Sequence, residues 1–296
     1  MLGAGGGGDV VGALALARLC EGLGTEFALG GVAWERMPID PYPGPRPADQ
    51  ISGGRPLGDR AVLAGPGTST PEGVRFSESL MAEHLGTETV LIDVSAGAPG
   101  AREGMDAACE ELGCDLVLCA DVGGDILAVG DEPGLASPLC DAVMLAAGCA
   151  ARADVVLAVI GAGCDGELTV AEVLGRVAAG ARAGAWTGTW SMAAEIADEV
   201  EVAARASYTE ASMQVVRCAR GEMGRAPIRG GRSHVELGPV GALTFFFDPS
   251  VALDELAPLA PLVADEPDVE SARAALAHAG VHSELDYERR RAAEAT

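Results

Sequence analysis

The stretch GAGGGGD at residues 3–9 runs directly into VVGALALARLC at residues 10–20, and this junction decides how the fold begins. Glycines permit a tight turn, and the apolar run after it has the composition of a buried helix. Later apolar runs, such as 115–121 and 154–160, resemble strands and alternate with helical stretches. Because parallel strands need helical crossovers between them, the sequence predicts an α/β fold with a mainly parallel sheet.

The composition excludes several functions. The 296 residues carry 44 acidic and 20 basic side chains, so the formal net charge is −24, and every basic residue is arginine. A chain without lysine has no Walker-type phosphate lysine and no Schiff-base lysine. The negative charge opposes binding to nucleic acid or to an anionic membrane. The eight cysteines are scattered, and we recognise no secretion signal or apolar run of about 18 residues, so we expect a cytoplasmic protein.

The second half of the chain departs from the alternation. Residues 191–205 and 210–220 are predicted as helices, and residues 235–237 and 242–247 as a closing pair of strands. The composition shifts after about residue 250 to Ala, Glu and Arg, which is typical of helices. The sequence therefore predicts an α/β domain over residues 1–250 and a helical extension over residues 251–296 packed on it.

Four loops after predicted strands combine glycine with an acid, at residues 3–9, 93–100, 121–125 and 161–167. Ligands of open parallel sheets bind beyond the carboxyl ends of the strands, so these loops are expected to converge on one crevice. The loop residues predicted to contact a ligand there are Gly5, Gly6, Gly7, Gly8, Asp9, Gly123, Gly124 and Gly163.

The first loop fits the pattern G-x-G-x-x-G through Gly3, Gly5 and Gly8. Such a loop at a helix N-terminus binds phosphate, and the alternative is a tight turn with Asp9 as the N-cap. A dinucleotide also needs an acid about twenty residues further on, and Glu35 comes later than that. Arg36 next to it is predicted to contact an anion together with Glu35, unless the two form a surface ion pair.

The acids of two loops suggest a cation. Asp121 and Asp125 flank Gly123-Gly124, and both carboxylates can reach one point, as magnesium or a polyol requires. The alternative is that Asp125 caps the following turn. Either Asp165 or Glu167 is predicted to be the general base, unless Glu167 belongs to the first turn of the next helix.

Five arginines lie within residues 217–232. Arginine binds carboxylate and phosphate in a bidentate manner, so Arg225, Arg229 and Arg232 are predicted to neutralise an anionic ligand, with salt bridges as the alternative. His234 follows as a candidate acid or base. Cys164 is an unfavourable nucleophile because adjacent acids raise its pKa.

Seven separated motifs carry a resemblance to a known family: GAGGGGDVVGA, GGVAWER, DVGGDILA, EPGLASPLCDA, GAGCDGELT, RCARGE and IRGGR. Together they resemble the uncharacterised family called domain of unknown function 1152, first described in archaeal proteins. The resemblance implies a Rossmann-like sheet with helices on both faces, and it supplies no reaction. It covers residues 1 to about 250 and leaves the remainder outside.

The predicted function is an enzyme that acts on a small anionic metabolite, phosphorylated or nucleotide-like. Hydrolysis, lyase or group-transfer chemistry with magnesium fits the acidic crevice best. The alternatives are an NAD(P)-dependent oxidoreductase and a non-catalytic ligand sensor. A homo-oligomer, most simply a dimer, is expected from the general frequency of dimers.

Overall fold

The computed structural model describes residues 1–294 and contains a nine-stranded sheet with a separate two-stranded hairpin. The order in the large sheet is β3-β4-β5-β2-β1-β6-β7-β11-β8. Its strands are β1 (Leu2–Gly3), β2 (Gly30–Val32), β3 (Arg55–Leu57), β4 (Ala61–Ala64), β5 (Thr89–Ile92), β6 (Leu116–Val122), β7 (Asp154–Ile160), β8 (Trp186–Ser191) and β11 (Leu243–Phe247). The hairpin consists of β9 (Gly224–Ile228) and β10 (Ser233–Leu237).

The middle of the sheet, β5-β2-β1-β6-β7, is parallel. Numbered along the chain, these five strands have the order 3-2-1-4-5, which is that of a Rossmann-type sheet and confirms the predicted fold class. The strand order reverses between β1 and β6. Although β1 has only two residues, it pairs with β2 at Leu2 and with β6 at Leu2 and Gly3, so it forms the centre of the sheet.

Helices cover both faces of the sheet. One hydrophobic core contains residues of α1, α6 and α7, and the other contains residues of α3, α4 and α5 together with α8–α11. The helices are α1 (Asp9–Gly22), α2 (Ser77–Leu85), α3 (Gly97–Leu112), α4 (Pro138–Cys149), α5 (Val170–Ala183), α6 (Ala194–Ala206), α7 (Glu210–Ala219), α8 (Pro249–Glu255), α9 (Ala260–Val263), α10 (Val269–His278) and α11 (Glu284–Glu294).

The helices after residue 249 bury their apolar side chains against the rest of the molecule. Leu256, Val263 and Leu276 are at most 1% exposed and belong to the same core as Leu139 of α4. The predicted division near residue 250 stays a prediction, although no separate core marks it in the described residues. Among these residues, no helix combines the length and apolarity that a membrane span would require.

The antiparallel strands are where the sequence prediction was wrong. β10 and β11 do not pair: β10 lies beside β9, and β11 lies between β7 and β8. The sequence of β9 (GRAPI) contains glycine and proline, which weaken the strand pattern, so its hairpin was missed. Local patterns also gave no signal for β3, β4 and β8, which are added at the two edges of the parallel sheet.

Candidate functional site

The glycine loop between β1 and α1 lies where the strand order reverses. Gly6 has φ +77°, and a Cβ atom there would lie 2.8 Å from the carbonyl oxygen of Trp34 at the end of β2. The amide of Gly7 donates to that same oxygen over 3.0 Å. Only glycine combines this backbone conformation with this close approach. The loop therefore takes one defined conformation against β2, and Gly5, Gly6 and Gly8 remain partly exposed at its surface.

Asp9 does not cap its helix. The N-cap is Gly8, and the Asp9 carboxylate turns back into the loop, where Oδ2 accepts a hydrogen bond from the amide of Gly5 over 2.8 Å. The alternative of an N-cap aspartate is therefore wrong. Burial raises the pKa of Asp9 to about 7. A loop amide that would otherwise face a ligand phosphate is thus taken by a carboxylate of the chain itself.

Asp9 is part of a first acidic triad with Asp121 and Asp141. One carboxylate oxygen of each lies within 4.8 Å of the other two. Asp121 is 1% exposed and Asp141 2%, yet Oδ2 of Asp121 and Oδ1 of Asp141 have no hydrogen-bond partner. Burial, followed by the charges of the neighbouring carboxylates, raises the pKa of both well above the ordinary value. This site thus buries two carboxyl oxygens, one of Asp121 and one of Asp141, that have no hydrogen-bond partner among the described residues.

A second triad, again within 4.8 Å, consists of Asp125, Asp165 and Glu167. The amide of Gly163 donates to the carbonyl of Gly123 over 2.8 Å, so the loops after β6 and β7 are joined directly. Gly123 has φ +129°, and a side chain there would overlap the Asp165 carboxyl. The structure thus places Asp121 and Asp125, predicted to share one cation, in two different triads.

The two candidate bases of the second triad differ in their contacts. Glu167 accepts from the amides of Ala136 (2.6 Å) and Ser137 (2.8 Å) and pairs with Arg229 over 2.6 Å. It precedes α5 instead of lying in the first turn of that helix, so that alternative is wrong. Asp165 keeps Oδ1 without a partner. Burial and the Glu167 charge raise the pKa of Asp165, while Arg229 opposes this rise.

Two carboxylates accept hydrogen bonds at the N-terminus of α4: that of Glu167, from the second triad, and that of Glu284. Glu167 takes the two amides before the helix, and Glu284 of α11 accepts from the amides of Leu139 (3.0 Å) and Cys140 (2.8 Å). Ser137 is the N-cap residue but makes no capping bond, because the helix amides of Leu139 and Cys140 donate to Glu284, while the Ser137 hydroxyl donates to Glu167. By contrast, α5 begins with a capping box formed by Thr169 and Glu172.

Arg36 brings positive charge to the first triad. Its guanidinium lies 4.4 Å from the ring centre of Trp34, donates to the carbonyl of Gly5 and lies 3.3 Å from Glu284. Its Nη1 atom is buried without a partner. Arg36 thus lies beside the first triad and Arg229 beside the second, and their contact with an anionic ligand stays a prediction.

Glu35 points away from Arg36. It is 2% exposed and accepts a hydrogen bond from the amide of Ser77, so the alternative of a surface ion pair with Arg36 is wrong. Burial raises its pKa. Glu78 is fully buried nearby with both carboxylate oxygens unpartnered, and burial together with the Glu35 charge raises its pKa well above the ordinary value.

Several predicted residues lie outside the two triads. Arg225 and His234 are exposed on the hairpin, where His234 faces Pro227, and Arg232 lies in the turn between β9 and β10. In the loop after β5, Asp93 accepts from the amides of Ala48 and Ser95 and belongs to neither triad. The convergence of this loop with the other three stays a prediction.

Two further polar groups serve the structure. The buried Arg46 pairs with Asp40 over 2.7 Å and with Glu72 over 2.8 Å. Cys164 is buried, and its hydrogen bond with Cys218, followed by burial, raises its pKa well above the ordinary value. A nucleophilic thiolate at Cys164 is therefore unfavourable, as the sequence indicated.

Sequence reasoning missed three residues of the crevice. Asp141 is the only charged residue in the buried helix α4, and an isolated acid in an apolar helix was the available signal. Glu284 and Glu288 come from α11, which was treated as an appendage. Glu288 accepts from the indole of Trp34 over 3.1 Å and from the amide of Gly44 over 2.8 Å. No sequence pattern connects positions so distant in the chain.

The comparison with family models identifies a family. The model described as "Protein of unknown function (DUF1152)" matches residues 1–292, and the chain belongs to this family. The expected limit near residue 250 is therefore wrong, because the match includes α11 with Glu284 and Glu288. No curated protein and no solved structure matches the chain.

Proposed function

We propose that the protein is an enzyme that acts on a small phosphorylated or similarly anionic metabolite by hydrolysis or group transfer, with divalent cations held by the two acidic triads. The observation that carries this proposal is the first triad, in which Asp121 and Asp141 are almost fully buried and each keeps an unpartnered carboxylate oxygen. It lies beside the glycine loop at the point where ligands of such sheets bind.

The donor set fits magnesium or manganese. Each triad offers three carboxylates, and hard divalent cations prefer oxygen ligands. Burying like charges together is costly unless a counter-charge is bound, and neither Arg36 nor Arg229 donates to the unpartnered oxygens of Asp121 and Asp141. In the proposed site Asp9, Asp121 and Asp141 would hold one cation, and Asp125, Asp165 and Glu167 a second. Such cations would supply positive charge to a phosphate and acidify a bound water.

The side chains of the protein then have separate tasks. Arg229 holds Glu167, and Glu167 holds the N-terminus of α4, so the second triad is fixed from two sides. Asp165 has the unpartnered oxygen and is the better candidate for accepting a proton. Arg36 lies next to the carbonyl of Gly5 and is placed to contact an anion that enters over the glycine loop.

The proposal is tested by titrating the chelator-treated protein with Mn²⁺ in a calorimeter. We expect saturable binding of up to two ions, and a loss of at least one of them in Asp121→Asn. Asp154→Asn is the matched control, because Asp154 is exposed at the opposite end of β7 and its loss changes the charge equally. Equal Mn²⁺ binding by wild type and Asp121→Asn, or no binding to either, would contradict the proposal.

The strand order keeps an NAD(P)-dependent oxidoreductase as a second candidate, since dinucleotides bind Rossmann-type sheets at this position. Two features weaken it: the amide of Gly5 is taken by Asp9, and Glu35 accepts from Ser77 instead of facing the crevice. Quenching of NADH fluorescence by the chelator-treated protein would favour this candidate. Binding of phosphorylated metabolites with Mn²⁺ but without turnover would indicate a sensor. The homo-oligomer also stays a prediction.

A further inference from the structure

A second polar site lies where the turn after β9 meets α11. A cavity of about 330 Å³ there is lined by Arg232, Tyr287, Arg290, Arg291 and Glu294, which we call the arginine pocket. Three guanidinium groups thus face one carboxylate in a chain whose net charge is −24. The pocket has the opposite charge to the crevice, and its residues play no part in either acidic triad.

Two of its arginines have no carboxylate partner. Within residues 1–294, Arg232 and Arg290 form no ion pair, although most arginines of the chain do; the arginines that pair are Arg18, Arg36, Arg46, Arg55, Arg60, Arg75, Arg152, Arg205, Arg217, Arg220, Arg229, Arg273, Arg289 and Arg291. Arg291 pairs with Glu294 over 2.9 Å, but both side chains are more than half exposed, so that pair is weak. The pocket therefore has positive charge available to a ligand.

Direct contacts join the pocket to the crevice. Arg229 pairs with Glu167 of the second triad over 2.6 Å, and the carbonyl of Arg229 accepts from Nε of Arg232 over 3.0 Å. Nη1 of Arg232 lies 3.4 Å from the hydroxyl of Tyr287. The turn at 229–232 thus links the second triad to the pocket through contacts between protein atoms.

We propose that the arginine pocket binds a phosphate group of the substrate that is remote from the reacting group, so that the substrate carries two anionic groups. This inference rests on the proposed function and names its substrate class. Guanidinium groups bind phosphate with parallel hydrogen bonds, and Arg232 and Arg290 are the two pocket arginines that no carboxylate of residues 1–294 neutralises. The cavity volume greatly exceeds the roughly 30 Å³ of one water molecule, so it has room for a phosphate and the atoms that carry it.

Inorganic pyrophosphate is the probe, titrated in a calorimeter in the presence of EDTA so that no cation contributes. We expect binding by the wild type that weakens with added salt, and at least tenfold weaker binding by the double variant Arg232→Gln/Arg290→Gln. The matched control is Arg102→Gln/Arg182→Gln, which removes two other arginines without ion pairs, on α3 and α5. It should bind as the wild type does.

A second measurement locates the anion without any variant. Phenylglyoxal modifies accessible arginines, and mass spectrometry should show that pyrophosphate protects Arg232 and Arg290 of the wild type but not Arg102. Equal pyrophosphate binding by the two double variants would contradict the proposal. So would a result in which pyrophosphate does not selectively protect Arg232 and Arg290 from modification. Because EDTA is present throughout, this result is independent of Mn²⁺ binding. The experiment can therefore contradict phosphate binding in the pocket without contradicting the proposed cation sites, and the Mn²⁺ titration can contradict the cation sites without contradicting the pocket.

Discussion

The loop that contains Asp40 and Arg46, between β2 and β3, and the carboxyl ends of β1 and β6 bury acidic side chains to the same extent but give them different hydrogen-bond partners. In the loop, Asp40 is 1% exposed, and both its oxygens accept from Arg46, over 2.7 and 2.8 Å. In the crevice, Asp121 is also 1% exposed, but one of its oxygens has no partner. The first arrangement is complete within the chain, whereas the second needs either protons or a cation.

This difference separates structural charge from charge available for function. A buried pair with matched geometry keeps its partners, and removing one of them leaves the other buried without compensation. An uncompensated cluster is costly for stability, and such local conflicts are expected mainly at functional sites. The sequence shows both regions only as acids and arginines near glycine and proline, and burial and partners distinguish them.

Breaking the complete pair should have the largest effect. Arg46→Met leaves the Asp40 carboxylate buried without its cation and with only the amide of Tyr42 donating to it, which typically costs about 3–5 kcal/mol, or a fall in Tm of roughly 6–20 °C. Thermal unfolding followed by circular dichroism measures it. Arg55→Met is the control, because Arg55 and Glu111 form an exposed pair. If both variants melt within 2 °C of each other, Asp40 and Arg46 are not the stabilising pair described above.

Replacing the buried Glu78 by glutamine should raise the free energy of unfolding by an amount that depends on pH. A carboxyl whose pKa is raised on folding contributes stability fully below its ordinary value of 4.5 and loses that contribution as the pH rises. Glu78→Gln cannot ionise, so it should exceed the wild type by about 1–3 kcal/mol at pH 8 and converge with it near pH 4.5. Urea unfolding at both pH values tests this.

The control for Glu78 is Glu83→Gln, since Glu83 is exposed on the same helix. Glu83→Gln should leave the change in the free energy of unfolding between pH 4.5 and pH 8 as it is in the wild type. A Glu78→Gln gain of the same size at pH 4.5 and pH 8 would rule out ionisation as its cause.

Asp141→Asn should stabilise the chelator-treated protein and remove most of the part of the Mn²⁺ response that comes from the first triad. Removing one charge from the first triad relieves repulsion by about 1–2 kcal/mol at pH 8. In the wild type, cation at 100 times its Kd should add about 2.7 kcal/mol, and the variant should lack most of this gain. Differential scanning calorimetry with EDTA and with Mn²⁺ compares the two. A variant that is less stable in EDTA, yet still responds to Mn²⁺, would place the cation elsewhere.

Asp165→Asn should have the smallest effect on stability. Asp165 is partly exposed, and Arg229 already offsets part of its charge, so the chelator-treated variant should lie within about 0.5 kcal/mol of the wild type. The same calorimetric scan measures it. A gain as large as that of Asp141→Asn would show that the two triads are equally uncompensated.

The crevice loops could be predicted because parallel strands end at one edge of the sheet. Residues 3–9, 121–125 and 161–167 therefore meet, and Asp9, Asp121 and Asp165 were found from their positions after strands. The pairing of carboxylates into triads could not be predicted, because it depends on side-chain directions within a few ångströms. Asp141 enters from a helix and not from a strand end, so the rule about strand ends does not include it.

The other errors also have physical causes. β11 pairs with β7 and β8 over long sequence distances, and local patterns carry no information on which strands become neighbours. Glu284 lies at the first position of α11, where an acid is expected on any helix for electrostatic reasons. Its contact with α4 follows from tertiary packing alone.

The bond from Cys140 to Glu284 also bears on how the protein is made. The two residues are 144 positions apart, so a ribosome adding about 5–20 residues per second needs on the order of ten seconds to pass from one to the other. During that interval α4 emerges without the carboxylate that later binds its first amides, and Arg36 has no Glu284 to meet. The contacts of Glu284 with α4 and with Arg36 therefore form late in biosynthesis, after α11 has left the exit tunnel.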